Sequence, residues 1–86
     1  MFFPPSFDHI SEVLQLDLSF CDLGTLPPQI GSFVGLASLN LSNNRLDSLP
    51  DTLANLQDLA RLNIAGNDIL SFQSFLKDND KLELIW

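Results

Sequence analysis

The sequence predicts an α/β solenoid, a short coil wound from one repeated unit, and three observations predict it. Apolar residues return every 23 positions: Val13, Leu36, Leu59 and Leu82 form one column, and Leu16, Leu39, Leu62 and Ile85 the next. Inside each unit the pattern switches from strict alternation, as in Leu39-Asn40-Leu41, to a stretch opened by proline, Pro27 in one unit and Pro50 in the next. The columns stay in phase across the chain, with Asn79 the one polar residue among the apolar slots of the three full units. A fixed period of this size belongs to chains in which each unit buries its apolar side only against its neighbours.

Each element follows from residue chemistry. Side chains alternate across a strand, so Leu39 and Leu41 point inward while Ser38, Asn40 and Ser42 point to solvent. Asn44 and Asn67 come just after the strand, where the backbone turns and loses sheet partners that a short amide can replace. Cys21 stands in the same slot of the first unit. It is expected to be a small buried substitute that weakens this ladder at its first rung. Pro27 and Pro50 lack a backbone N–H and fix φ, which suits an irregular return segment and not a central strand. The units read as 13–35, 36–58 and 59–81. A partial unit covers 1–12, where Phe3-Pro4-Pro5 overlays Leu26-Pro27-Pro28, and a strand start covers 82–86.

The motif Leu36-Ala37-Ser38-Leu39-Asn40-Leu41-Ser42-Asn43-Asn44-Arg45-Leu46, with its counterpart at 59–69, resembles the leucine-rich repeat family. The second half, Leu26-Pro27-Pro28-Gln29-Ile30 and Leu49-Pro50-Asp51-Thr52-Leu53, is similar to the 23-residue intracellular repeats of Ras-binding scaffold proteins. Unit three departs from it with Phe72-Gln73. The resemblance implies a right-handed coil with parallel strands on a concave face and short-helical or 3-10 segments on the convex face. It also implies a protein–protein interaction module that docks another protein on the concave face, without catalysis and without a cofactor.

Composition bounds the rest. Eighty-six residues make one small domain with a thin core and marginal stability. The formal net charge is −7, from 11 acidic and 4 basic residues. That disfavours nucleic acid and anionic membrane surfaces. Acidity either keeps a leucine-rich chain soluble or offers an acidic face to a basic partner. One cysteine excludes an internal disulfide framework. The start, Met1-Phe2-Phe3-Pro4-Pro5, does not read as a signal peptide, and no apolar run approaches a membrane span, so a cytoplasmic location is expected.

Catalytic chemistry finds little support. His9 stands alone in the partial unit, with Asp8 adjacent but diverging from it in an extended segment. Asp78-Asn79-Asp80 hints at a calcium loop but lacks its glycine and distal glutamate, and no His/Cys cluster offers a metal site.

The repeat alignment places candidate partner-binding residues on the concave face. The central column is Asp17, Asn40, Asn63 and Trp86; the column before it is Gln15, Ser38, Arg61 and Leu84; the one after holds Ser19 and Ser42. Phe20 and Arg45 fall at the rim. Arg61 and Trp86 are the residue types that dominate binding hot spots, although Trp86 equally suits packing on a further unit. A standard interface needs about 800 Å² per partner, which this small sheet just supplies. Both ends of the stack read as uncapped and apolar. The alternatives to a binding module are therefore self-association through those ends, or a fragment of a longer solenoid.

Overall fold

A computed structural model describes residues 12–69 and 81–86. Four three-residue strands form one parallel sheet in chain order: β1 (Gln15–Asp17), β2 (Ser38–Asn40), β3 (Arg61–Asn63) and β4 (Glu83–Ile85). Leu16 pairs with Leu39, and Leu39 with Leu62. Each of the first three strands ends where an Asx side chain intercepts the chain. Asp17, Asn40 and Asn63 each accept the backbone N–H two residues on through Oδ1, at 2.9, 3.0 and 3.1 Å.

The return segments are single 3-10 helices, Pro28–Ser32 and Asp51–Asn55. Pro27 and Pro50, at φ −65° and −72°, precede them in extended conformation. Phe33 N–H to Ile30 O and Leu56 N–H to Leu53 O close their last turns, at 3.2 and 3.1 Å. Each is a short run of this tight helix and presents one apolar side chain inward, Ile30 or Leu53. The two helices pass so closely that a Cβ on Gly31 would lie 2.7 Å from both Cβ and O of Thr52. Thr52 Oγ1 donates to Pro28 O at 2.7 Å across the same contact.

The core is the stack of apolar columns. Its fully buried members, Ile30, Phe33, Leu36, Leu39, Leu41, Leu46 and Leu62, lie mostly in the middle unit. Val13, Leu16, Ile69, Leu82 and Leu84 pack on it only partly buried. Burial that peaks in the middle and fades outward is what nearest-neighbour stacking produces.

The fourth strand corrects the alignment. From Gln15 to Ser38 and from Ser38 to Arg61 the step is 23 residues, but from Arg61 to Glu83 it is 22. Leu84, not Ile85, therefore lies beside Leu62, and Ile85, not Trp86, lies beside Asn63. Leu84 leaves the outward column in which Gln15, Ser38 and Arg61 stand. The 23-residue step still holds at Asp68, whose N–H bonds Leu46 O just as Arg45 N–H bonds Leu23 O. The residue is lost between Asp68 and Glu83. The shorter step turns Leu82 and Leu84 onto the core and sets Glu83 beside Arg61, where a carboxylate meets the guanidinium.

Candidate functional site: the outward face of the sheet

Two rows of side chains cross the outward face. Gln15, Ser38, Arg61 and Glu83 occupy matched positions, as do Asp17, Asn40, Asn63 and Ile85. Gln15, Asp17, Arg61 and Glu83 are exposed; Ser38, Asn40, Asn63 and Ile85 are half-buried. Arg61 Nε and a terminal nitrogen of its guanidinium both reach Glu83 Oε2 at 3.2 Å, with more than half of each side chain open to water. An ion pair so exposed contributes little to stability, so the guanidinium is exchangeable.

The amides in the second row are fixed. A backbone N–H can only donate, so the Ser42 and Ala65 N–H groups assign the accepting atom of Asn40 and Asn63 as Oδ1. Ser42 Oγ adds a second bond to Asn40 Oδ1 at 2.7 Å. Both amide oxygens are thereby engaged, and among the described residues no acceptor holds either Nδ2. Asp17 makes the same turn: Ser19 Oγ and the Ser19 N–H donate to its Oδ1 at 2.6 and 2.9 Å. The hydroxyl bond first, then the backbone bond, hold its carboxyl below the usual 3.8, against an opposing desolvation effect.

Two expected placements change. Ser42 does not face solvent; it is 7% exposed, its hydroxyl turned onto Asn40. Cys21 is not buried; its thiol is free and exposed, and Sγ donates to Ser19 O at 3.4 Å. The reason lies in which way the amides of this slot reach. Asn44 Oδ1 accepts from Cys21 and Leu23 N–H at 2.9 and 3.1 Å, both in the preceding unit. Its Nδ2 donates to Leu18 O, Leu41 O and Ser42 O at 3.0, 2.8 and 3.2 Å. Asn67 repeats the pattern, accepting from Leu46 N–H and donating to Leu41 O, Ile64 O and Ala65 O. Each asparagine thus ties a unit to the one before it, and the loop around Cys21 is tied by Asn44.

Just after the strands the chain enters the left-handed region, with φ of 55° at Phe20, 58° at Asn43 and 73° at Gly66. Backbone bonds to the next coil, Phe20 N–H to Ser42 O and Asn43 N–H to Ala65 O, hold the conformation. Asparagine and glycine tolerate it; phenylalanine does not. Phe20 nonetheless sits there, 78% exposed at the rim. Sequence reasoning put Phe20 at the rim without seeing this conflict. The signal was the column itself, since Asn and Gly in two of three units mark a left-handed slot. Trp86 is 79% exposed and follows β4, outside the row it was aligned with.

His9, Asp8, the apolar N-terminal residues, Phe72-Gln73 and Asp78-Asn79-Asp80 lie outside the described residues. Among those described, no three His, Cys, Asp or Glu side chains gather as a metal site requires. No helix among them is long and apolar enough to cross a membrane.

A family model for the leucine rich repeat matches residues 11–69, the span that holds β1 to β3 and both 3-10 helices. The chain belongs to the leucine-rich repeat family. A solved leucine-rich repeat protein of Leptospira interrogans is similar in fold, with a TM-score of 0.67 and 33% identity over 76% of this chain. The match spans 17% of that protein's length. No curated protein sequence matches the chain. Leucine-rich repeat domains commonly serve as protein–protein interaction modules, and the outward face of the sheet is the surface on which this one presents its fixed polar groups.

Proposed function

We propose that this leucine-rich repeat chain recognises another protein on the outward face of its sheet, acting by binding and not by catalysis. The observation that carries this reading is the row of amides at Asn40 and Asn63, whose oxygens are occupied by strand-end turns. Their Nδ2 groups are held at the surface beside Arg61, so a partner meets donors already in place. Preorganised groups lose less entropy on binding. Arg61 leaves Glu83 at small cost, and Gln15, Ser38 and Asp17 complete the patch. The geometry favours a partner surface rich in carbonyl and carboxylate acceptors opposite Asn40, Asn63 and Arg61.

The test is capture of partner proteins by the wild type, followed by affinity measurement on substituted chains. Gln15→Ala and Arg61→Ala are expected to weaken the captured complex about tenfold or more, the range of interface hot spots. Gln57→Ala, exposed on the loop after the second 3-10 helix, is expected to leave it unchanged. The reverse pattern would remove the reading.

A second reading, self-association through the edges of the stack, draws on the exposure of Leu14 and Trp86, 61% and 79%. Light scattering over a concentration series tests it. A mass that rises with concentration, and falls back with Trp86→Ser, supports self-association; a constant monomer mass rejects it.

A further inference from the structure

The first unit carries a pair of residues that its sister units do not. Asp17 occupies the slot of Asn40 and Asn63, and Phe20 the slot of Asn43 and Gly66. Phe20 holds a backbone conformation that is unfavourable for a bulky side chain, and it leaves its ring in water. Neither feature helps the fold, because asparagine serves the same slot in the next unit. A strained, exposed aromatic side chain is a reason to look for a ligand.

Asp17 lies three residues before it, on the same turn. Ser19 fixes the carboxylate through Oδ1 alone, which orients Oδ2 without occupying it. The two described arginines are engaged elsewhere, Arg45 with Asp22 and Arg61 with Glu83. The site thus combines a fixed anion, an open aromatic face and a chain of net charge −7. A group that suits both halves is cationic, planar and weakly hydrated. Guanidinium is all three, whereas ammonium is compact and strongly hydrated.

We propose that Asp17 and Phe20 form a receptor for an arginine side chain of the protein partner, with the guanidinium stacked on the Phe20 ring and hydrogen-bonded to the Asp17 carboxylate. This rests on the reading of the outward face as a protein-binding surface, and it names the basic residue that such a partner brings. Units two and three offer a neutral amide and no ring at the matching slots, so among the described units the receptor occurs once and fixes the partner's register.

The test uses capped tetra-arginine and capped tetra-lysine peptides, titrated at low salt into the isotope-labelled chain and followed by amide NMR shifts. Tetra-arginine is expected to shift the Asp17, Ser19 and Phe20 amides and to bind roughly fivefold to tenfold more tightly than tetra-lysine. Phe20→Asn and Asp17→Asn are each expected to remove that preference. Both use side chains that equivalent slots already carry, so the fold survives, and circular dichroism checks it. Equal affinity for the two peptides, shifts elsewhere on the chain, unchanged binding by either variant, or no binding at all overturns the receptor. If it fails while Gln15→Ala and Arg61→Ala still weaken the captured partner, the fault lies with the arginine receptor and not with the protein-binding face.

Discussion

Replacing Asn44 by alanine is expected to destabilise the chain by about 2–6 kcal/mol, slightly more than the same change at Asn67. The difference follows from counting what each side chain leaves behind. Without Asn44, the N–H groups of Cys21 and Leu23 lose their acceptor, and among the described residues Leu18 O loses its only donor. Leu41 O keeps Asn67, and Ser42 O keeps the Phe20 N–H. Three backbone groups are therefore orphaned. Leu18 and Leu23 are buried, and each such group costs about 1–3 kcal/mol, while water serves the exposed Cys21 more cheaply. Without Asn67, Leu46 N–H and Ile64 O are orphaned among the described residues, Ala65 O keeps the Asn43 N–H and Leu41 O keeps Asn44. That amounts to about 2–6 kcal/mol, so the margin of Asn44 over Asn67 is the cheaply hydrated Cys21 N–H. Leu41 O loses both donors only in the double variant, so the two changes together should exceed their sum by about 1 kcal/mol. Urea unfolding followed by circular dichroism measures all three. A loss under about 1 kcal/mol for Asn44→Ala, or strict additivity in the double variant, would refute the reasoning.

Other outcomes follow from single contacts. Gly31→Ala forces a methyl against the Thr52 backbone and is expected to cost about 1–3 kcal/mol in thermal or urea unfolding. Gly24→Ala, with open space around its Cα and no left-handed φ, should be neutral or slightly stabilising in the same assay. Phe20→Asn should stabilise the chain by about 1 kcal/mol by relieving the left-handed strain, even as it removes arginine binding; a loss of stability contradicts that assignment. Asp17 titrates lower in the fold than in the unfolded chain, so its contribution is fully present above pH 3.8 and is lost as pH falls below that through the folded value. Asp17→Asn should therefore flatten the acid limb of the stability–pH curve, read by equilibrium unfolding, and leave its neutral region little changed.

The columns were legible in the sequence because a leucine at a fixed spacing has one use in a coil: it must stack on its counterparts. Leu16, Leu39 and Leu62 show this, as do the two proline-led segments that became 3-10 helices. The last strand departs from the 23-residue alignment because a period carries no information about its own interruption. In Leu82-Glu83-Leu84-Ile85 both Leu84 and Ile85 offer an apolar side chain for the place beside Leu62, and spacing alone does not choose; the observed phase packs Leu82 and Leu84 on the core and leaves Glu83 opposite Arg61. Ser42 and Cys21 were misplaced for a related reason. Alternation predicts a direction, but a hydroxyl within reach of Asn40 folds back onto it, and the asparagine slot serves the preceding coil as well as its own. The left-handed column of Phe20, Asn43 and Gly66 was present in the letters, visible only once the loop geometry gave those residue types a shared reason.

The most direct measurement of the stacking claim is a set of methyl–methyl nuclear Overhauser contacts in a chain labelled at leucine, isoleucine and valine. A continuous path from Leu16 to Leu39 to Leu62 to Leu84 is the expected result, with Ile85 off the path. A path that closes on Ile85 in place of Leu84 would contradict the register, and the absence of Leu16–Leu39 and Leu39–Leu62 contacts would contradict the solenoid itself.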